Sequence, residues 1–181
     1  GYEIINRWMD EHFGDTFIHT TNTDGYHLRS GCPEDRVKEV HGSMWRLQCL
    51  DVCSYDFWDD NTVPLCDLDR KTMQASNFPT CPRCNAIARP HILMFGDGEY
   101  TGHPEQESNF QVFIQNPVDA AILVGSSGAV PTNDFIALQL MQHGTTIINI
   151  NPDPSANNIA STEHFLLLKS LEAFEELDTC M

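Results

Sequence analysis

Cys49 and Cys53, then Cys81 and Cys84, form two close thiol pairs with 27 residues between them. Two such pairs can close a tetrahedral thiolate cage around zinc, and four protein ligands leave no coordination position open for catalysis. The metal expected here is structural, so any chemistry belongs beside it. The first gap holds three residues and the second, Cys81-Pro82-Arg83-Cys84, the commoner two. Cys66 is an alternative ligand to Cys53, whereas Cys32 and Cys180 lie too far away in sequence.

Three further polar residues stand out. Asn22 and Asp24 fall in a polar loop, Thr21 to Ser30, that follows a short apolar run. Such a loop holds a neutral amide or sugar hydroxyls by directed hydrogen bonds, which suits a nucleotide better than an apolar ligand. His41 precedes Gly42, which allows close backbone approach, and imidazole is the side chain whose ordinary titration suits a general base. Gly125-Ser126-Ser127-Gly128 follows an apolar run and precedes a helical pattern, so its amides and hydroxyls can meet a phosphate or ribose. No full Gly-x-Gly-x-x-Gly fingerprint occurs: Gly96-Asp97-Gly98 lacks the third glycine and the following helix.

The elements that must position these residues read as follows. Ile4, Ile5, Trp8 and Met9 predict a helix over residues 2–13, broken at Gly14-Asp15 before a strand at 16–20. Residues 49–84 are rich in Asp, contain Pro and lack sustained apolar periodicity, apart from a short helix expected near Leu68–Ala75. Metal is expected to supply the order there. Apolar runs at Ile92–Phe95, Ala120–Val124, Thr146–Ile150 and Phe165–Leu168 predict buried strands of a parallel sheet. A helix is expected between Pro131 and Gly144 and a last one around Leu171–Leu177. The expected fold is α/β: a Rossmann-like domain of residues 1–48 and 85–181, with a zinc-binding module of residues 49–84 inserted.

The chain of 181 residues carries 26 acidic against 10 basic side chains, a net charge of −16. That balance, with no basic patch, argues against nucleic acid and anionic lipid as partners. No apolar run approaches the length of a membrane span. Seven cysteines, four of them in metal-ligand spacing, favour a reducing compartment, which makes a cytoplasmic or other intracellular location the expectation, the nucleus included.

Read in order, Thr20-Thr21-Asn22-Thr23-Asp24-Gly25, Val40-His41-Gly42-Ser43, the two cysteine pairs, Arg89-Pro90-His91-Ile92-Leu93-Met94-Phe95-Gly96-Asp97, Val124-Gly125-Ser126-Ser127 and Ile148-Asn149-Ile150-Asn151 resemble the sirtuins, the NAD-dependent protein deacylases. The resemblance implies that an acyl-lysine carbonyl oxygen attacks the nicotinamide ribose of NAD, releasing nicotinamide and leaving an alkylamidate. His41 then matches the general base that activates a ribose hydroxyl, and water completes release of lysine and O-acyl-ADP-ribose. Asn22 and Asp24 match the nicotinamide pocket and Thr21 the ribose contact. Gly125, Ser126, Ser127, Asn149 and Asn151 match the adenosine side. Ile92, Leu93, Phe95 and Gly96 match the segment that lines the acyl-lysine channel and pairs with substrate backbone.

This sequence departs from the sirtuin pattern at several positions. Thr21 stands where most sirtuins have Gln, Thr23 where they have Ile, His91 where Asp or Asn is common, and Asp97 where Glu is common. The Gly-Ala-Gly segment and the Ser-Gly-Ile-Pro-Asp-Phe-Arg-like loop, on and after the first strand of the sirtuin sheet, do not occur. The chain is therefore expected to be a C-terminal portion, whose missing strand comes from upstream sequence or from another chain. Two alternatives keep the same residues: an ADP-ribosyltransferase or NAD glycohydrolase, and a non-catalytic zinc-stabilised binding module.

Overall fold

The computed structural model describes residues 1–60, 66–156 and 164–180. In chain order the elements are α1 (Tyr2–Glu11), β1 (Ile18–Thr20), α2 (Tyr26–Arg29), β2 (Val37–Glu39), β3 (Gly42–Cys49), β4 (Phe57–Asp59), β5 (Asp67–Asp69), β6 (Gln74–Ser76), β7 (Ala88–Ile92), α3 (Pro104–Phe113), β8 (Ala120–Val124), α4 (Thr132–Gln142), β9 (Thr146–Ile150), β10 (His164–Leu166) and α5 (Ser170–Asp178). They form two units: residues 1–21, 26–38 and 104–181, and residues 22–25 and 39–103.

The first unit holds the parallel sheet, in the order β10-β9-β8. Alternate residues of β9 point to opposite faces, and each face is apolar, as a parallel sheet requires. Ile147 joins Leu123 and Ala137 of α4, with Leu140 and Met141 packed against them. On the other face, Ile150 joins Trp8, Ala173 and Phe174, with Ile148 and Leu166 against that cluster. The Trp8 and Phe174 rings meet edge to face at 5.5 Å, and the indole N–H donates to Asp178 at 2.8 Å. One buried aromatic thus joins α1 to α5 by packing and by a satisfied polar edge. β1 pairs with β2 in a separate two-stranded sheet.

The strands at 120–124 and 146–150 and the helix after Pro131 stand where the apolar runs and their Pro and Gly boundaries place them. Two elements differ. Leu68–Ala75 is not helical: Asp67–Asp69 and Gln74–Ser76 pair antiparallel, and Met73, at φ +56°, makes the turn. A helix of those residues would have no apolar surface to cover, because β5 is exposed along its length. Ile92–Phe95 is not a strand of the parallel sheet either. β7 ends at Ile92 and runs antiparallel to β3 in the second unit, leaving Met94 and Phe95 exposed.

The second unit is built on the sheet β4-β3-β7. β3 brings Arg46 into the interior, where its guanidinium donates to Glu39 at 2.9 Å and to Asp59 at 3.2 Å and lies over the Phe57 ring. Glu39 and Arg46 are each at least nine-tenths buried. Each charge needs the other, since a lone one would be stranded in low dielectric. The pairing of β3 with β7 makes this unit wider than residues 49–84, because the cysteine pairs sit at one end of strands that begin at residues 42 and 88.

Candidate functional site

Four thiols converge at one end of the second unit. Cys49 Sγ lies 3.6 Å from Cys84 Sγ, Cys53 Sγ lies 3.6 Å from Cys81 Sγ, and all four sulfurs fall within 4.8 Å of one another. A disulfide requires about 2.05 Å. Tetrahedral zinc with sulfurs at about 2.3 Å sets neighbouring sulfurs about 3.8 Å apart, so this cluster has the spacing of a thiolate cage. The Arg83 N–H donates to Cys81 Sγ and draws that thiol down to about 7, while the hydrogen bond with Cys84 pushes Cys53 up to about 12. A metal would displace the remaining protons. Cys49, Cys53, Cys81 and Cys84 are the cluster, and Cys66 is not among its members.

Beside that sheet, the second unit brings the Asn22–Asp24 loop to the start of β3. The Met44 N–H donates to the Thr23 carbonyl at 2.9 Å, and the Trp45 indole donates to the Asp24 carbonyl at 2.8 Å. Gly25, at φ +67°, closes the loop, and a Cβ there would come within 2.7 Å of Trp45. His41 is half-buried one residue ahead of β3. The Leu93 N–H donates to its carbonyl at 3.0 Å, which fixes the backbone of the imidazole against the segment after β7.

Gly42 is where the two strands touch. It sits at φ +78°, and a Cβ on it would lie 2.0 Å from the His91 carbonyl oxygen. Both the left-handed backbone and the absence of space demand glycine. Gly42→Ala is expected to destabilise the protein by about 2–4 kcal/mol, from the strained φ and the forced separation of β3 from β7. Urea denaturation checks this, and a change under about 0.5 kcal/mol would contradict the close approach.

Residues 93–96 form a short apolar loop on a hydrogen-bonded base. Leu93, Met94 and Phe95 are 37%, 61% and 95% exposed, and Gly96 has φ +75°. Below them Arg89 donates to Asp97 at 2.6 Å and to the Ile92 carbonyl at 3.1 Å, while the Asp97 N–H returns to the Met94 carbonyl. Burial would raise the Asp97 carboxyl, but Arg89 and two backbone N–H groups outweigh it and hold the carboxyl below its ordinary value. The clamp joins both ends of the loop, and among the described residues β7 is an edge strand whose first residue, Ala88, donates to the Pro79 carbonyl at 2.8 Å.

In the first unit, Gly125 to Ser127 form the turn after β8, and Gly125 has φ +63°. The Gly125 N–H donates to Ile150, and the Asn151 amide donates to the Ser126 carbonyl at 2.9 Å, tying the turn to the end of β9. Asn149, paired with Leu123 of β8, is fully buried, yet neither its amide oxygen nor its nitrogen has a hydrogen-bond partner among the described residues. Buried amides are nearly always satisfied, so the partner of this one lies beyond the described residues, and a polar ligand at the C-terminal end of parallel strands is one group that fits. Its chemistry fits a ribose or a base edge.

Asn133, which sequence reasoning missed, sits in the first turn of α4. His19 Nδ1 lies 3.0 Å from its amide oxygen, and its amide nitrogen donates to Thr21 at 3.4 Å. Only the fold brings residues 19, 21 and 133 together. Thr21 is thereby held by a side chain 112 residues away.

Comparison with known proteins bears on the family and the fold. The Sir2 family model matches residues 2–132. An NAD-dependent protein deacylase of Aeropyrum pernix is 31% identical over 164 residues, covering 90% of this chain and 58% of that protein. One of Aquifex aeolicus is 26% identical over 165 residues, covering 91% and 62%. The chain thus spans about three-fifths of the length of these curated relatives. A crystal structure of a Sir2 homologue–NAD complex superposes with a TM-score of 0.78 at 22% identity, covering 99% of this chain and 62% of that one. A Sir2–p53 peptide–NAD+ structure superposes at 0.70 with 20% identity, covering 97% and 67%. At these identities the structures show the fold, and the family model reaches well over half of the chain. The chain belongs to the Sir2 family.

Proposed function

We propose that this chain is the greater part of an NAD-dependent protein lysine deacylase. Its substrates are NAD and an acyl-lysine side chain, and its products are nicotinamide, O-acyl-ADP-ribose and free lysine. The observation that carries this reading is the buried amide of Asn149, without a hydrogen-bond partner among the described residues, near the Gly125–Ser127 turn at the strand ends, where open α/β sheets receive polar ligands. The relatives named as NAD-dependent deacylases support NAD as that ligand.

In this reading Gly125, Ser126, Ser127, Asn149 and Asn151 hold the adenosine side, and Thr21, Asn22 and Asp24 the ribose and carboxamide. His41 is the general base. Ile92, Leu93, Phe95 and Gly96 receive the acyl-lysine peptide along the edge strand β7. The exposed apolar loop strips water from the acyl chain while backbone hydrogen bonds orient its carbonyl.

A further strand completes the parallel sheet at β8, from sequence preceding Gly1 or from another chain. Among the described residues β8 pairs with β9 alone, and Ile122 and Val124 are 38% and 37% exposed on it. One backbone edge of β8 thus has no ladder partner among the described residues, which supports a neighbour there.

Labelled nicotinamide release from NAD, measured with and without an acyl-lysine peptide, tests the reading on the intact protein. Peptide-dependent release with O-acyl-ADP-ribose in step is expected, and residues 1–181 alone should give little. Release without peptide would favour a glycohydrolase, and label left on a protein would favour an ADP-ribosyltransferase. No release from the intact protein would leave a binding module.

A further inference from the structure

Behind the His41–Gly42 turn lies a stack of three rings. The His91 ring sits between Phe57, 4.3 Å away at 20°, and Tyr100, 4.8 Å away at 26°. His91 is 1% exposed, and its Nε2 donates to the Thr101 carbonyl at 2.7 Å. That bond fixes the tautomer and leaves Nδ1 without a proton. Burial, with the nearby Arg46, His103 and Arg89 charges, outweighs the Thr101 hydrogen bond and draws the imidazole below its ordinary value.

The stack bears directly on the turn. Register sets His91 opposite Ser43 and Ile92 opposite Gly42. A Cβ built on Gly42 would meet the His91 carbonyl oxygen at 2.0 Å and the Tyr100 hydroxyl at 3.1 Å. His91 and Tyr100 therefore form the wall against which the peptide after His41 is laid. Tyr100 is delivered to the wall by the turn that the Arg89–Asp97 pair closes.

Polar satisfaction does not explain the choice of residues. Neither the Tyr100 hydroxyl nor His91 Nδ1 has a hydrogen-bond partner among the described residues. A buried hydroxyl without a hydrogen bond is a net cost to folding, so what Tyr100 supplies at this position is packing: its ring stacks on His91 and its hydroxyl lies against Gly42. A small shift of the backbone carrying a general base removes it from reach of the proton it must take.

We propose that Tyr100 and His91 are positioning residues for His41, acting by stacking through Gly42 on the backbone that carries the imidazole. The proposal rests on the deacylase reading. In that reaction nicotinamide leaves before the base acts, so exchange of labelled nicotinamide into NAD reports the first step, and lysine release reports both.

The test measures both activities in the intact protein, with kcat and KM for the peptide and a thermal melt for each variant. Tyr100→Leu should lower the kcat of lysine release by about tenfold or more, leaving peptide KM and nicotinamide exchange within about twofold. Tyr100→Phe keeps the ring stacked on His91 and withdraws only the hydroxyl beside Gly42, which has no hydrogen-bond partner among the described residues, so it should lose clearly less lysine release than Tyr100→Leu and melt no lower than the parent. If Tyr100→Leu does not fold, His91→Leu, which withdraws the middle ring of the stack, should show the same selective loss. Equal loss of exchange and lysine release would reduce the stack to a structural role and overturn the proposal. So would the absence of loss in either, or a Phe variant as impaired as the Leu one. A parent protein that exchanges no nicotinamide overturns the deacylase reading itself.

Discussion

Replacing His41 with Ala in the intact protein should lower lysine deacylation by about 10²–10⁴-fold, the range that a positioned general base contributes. Nicotinamide exchange should persist, because attack on the ribose and departure of nicotinamide come before the base is needed. The protein should melt within a few degrees of the parent. His41 is only half-buried, and the contact that matters to the fold is its backbone carbonyl, which accepts from Leu93 whatever the side chain is. A variant that keeps full deacylation would remove His41 from the mechanism. One that loses both activities together with its melting temperature would show the residue to be structural.

Loss of the metal should have the other large effect. Among the described residues, the buried apolar side chains of the second unit are Leu47, Cys49, Cys81 and Ala88, and two of these four are thiols of the cluster. The remaining interior is polar: Glu39, Ser43, Arg46, Gln48 and His91. So thin an apolar core needs a staple, and structural zinc contributes on the order of 10 kcal/mol in small domains. Cys84→Ser, or exhaustive chelation, should lower the melting temperature by more than about 10 °C. Deacylation should fall with it, because Cys49 and Ala88 are paired on the same strands that hold Gly42 and Ile92 at their other end. Elemental analysis should find one zinc per chain in the parent and none in the variant. A parent that binds no zinc, or a zinc-free variant that melts like the parent, would contradict the cage.

Much of the first unit could be read locally. α4 is bounded by Pro131 and Gly144, and β8 and β9 are continuous apolar runs, so propensity and burial point the same way. The second unit is different in kind. β3 carries Ser43, Arg46 and Gln48 in its buried set, and nothing in residues 42–49 announces that Glu39 and Asp59 will neutralise the arginine. The run at Ile92 was apolar for a different reason than a parallel strand's: its side chains form an exposed loop. In Leu68–Ala75 apolar spacing suggested a helix, yet with no core to face, a hairpin pairs the backbone instead.

The candidate site divides along the same line. Cys49, Cys53, Cys81 and Cys84 are legible because close pairs of thiols carry their own geometry. Asn22, Asp24, His41 and Asn149 were legible through order and resemblance. Asn133, Tyr100 and the Arg89–Asp97 clamp were not, because each acts on a residue that only the fold brings near, or in a turn with no local signature.

The amide of Asn149 bears on which ligands the protein refuses. A side chain already stripped of water, with both a donor and an acceptor waiting, gains little selectivity from shape and much from complementarity. A site built to meet a polar group rejects analogues that lack it by factors of about 10⁴, far beyond what a missing methylene achieves. In the proposed reading Asn149 is an instrument of discrimination: it screens the molecules that reach the strand ends by whether they can answer an amide that the described residues leave unanswered.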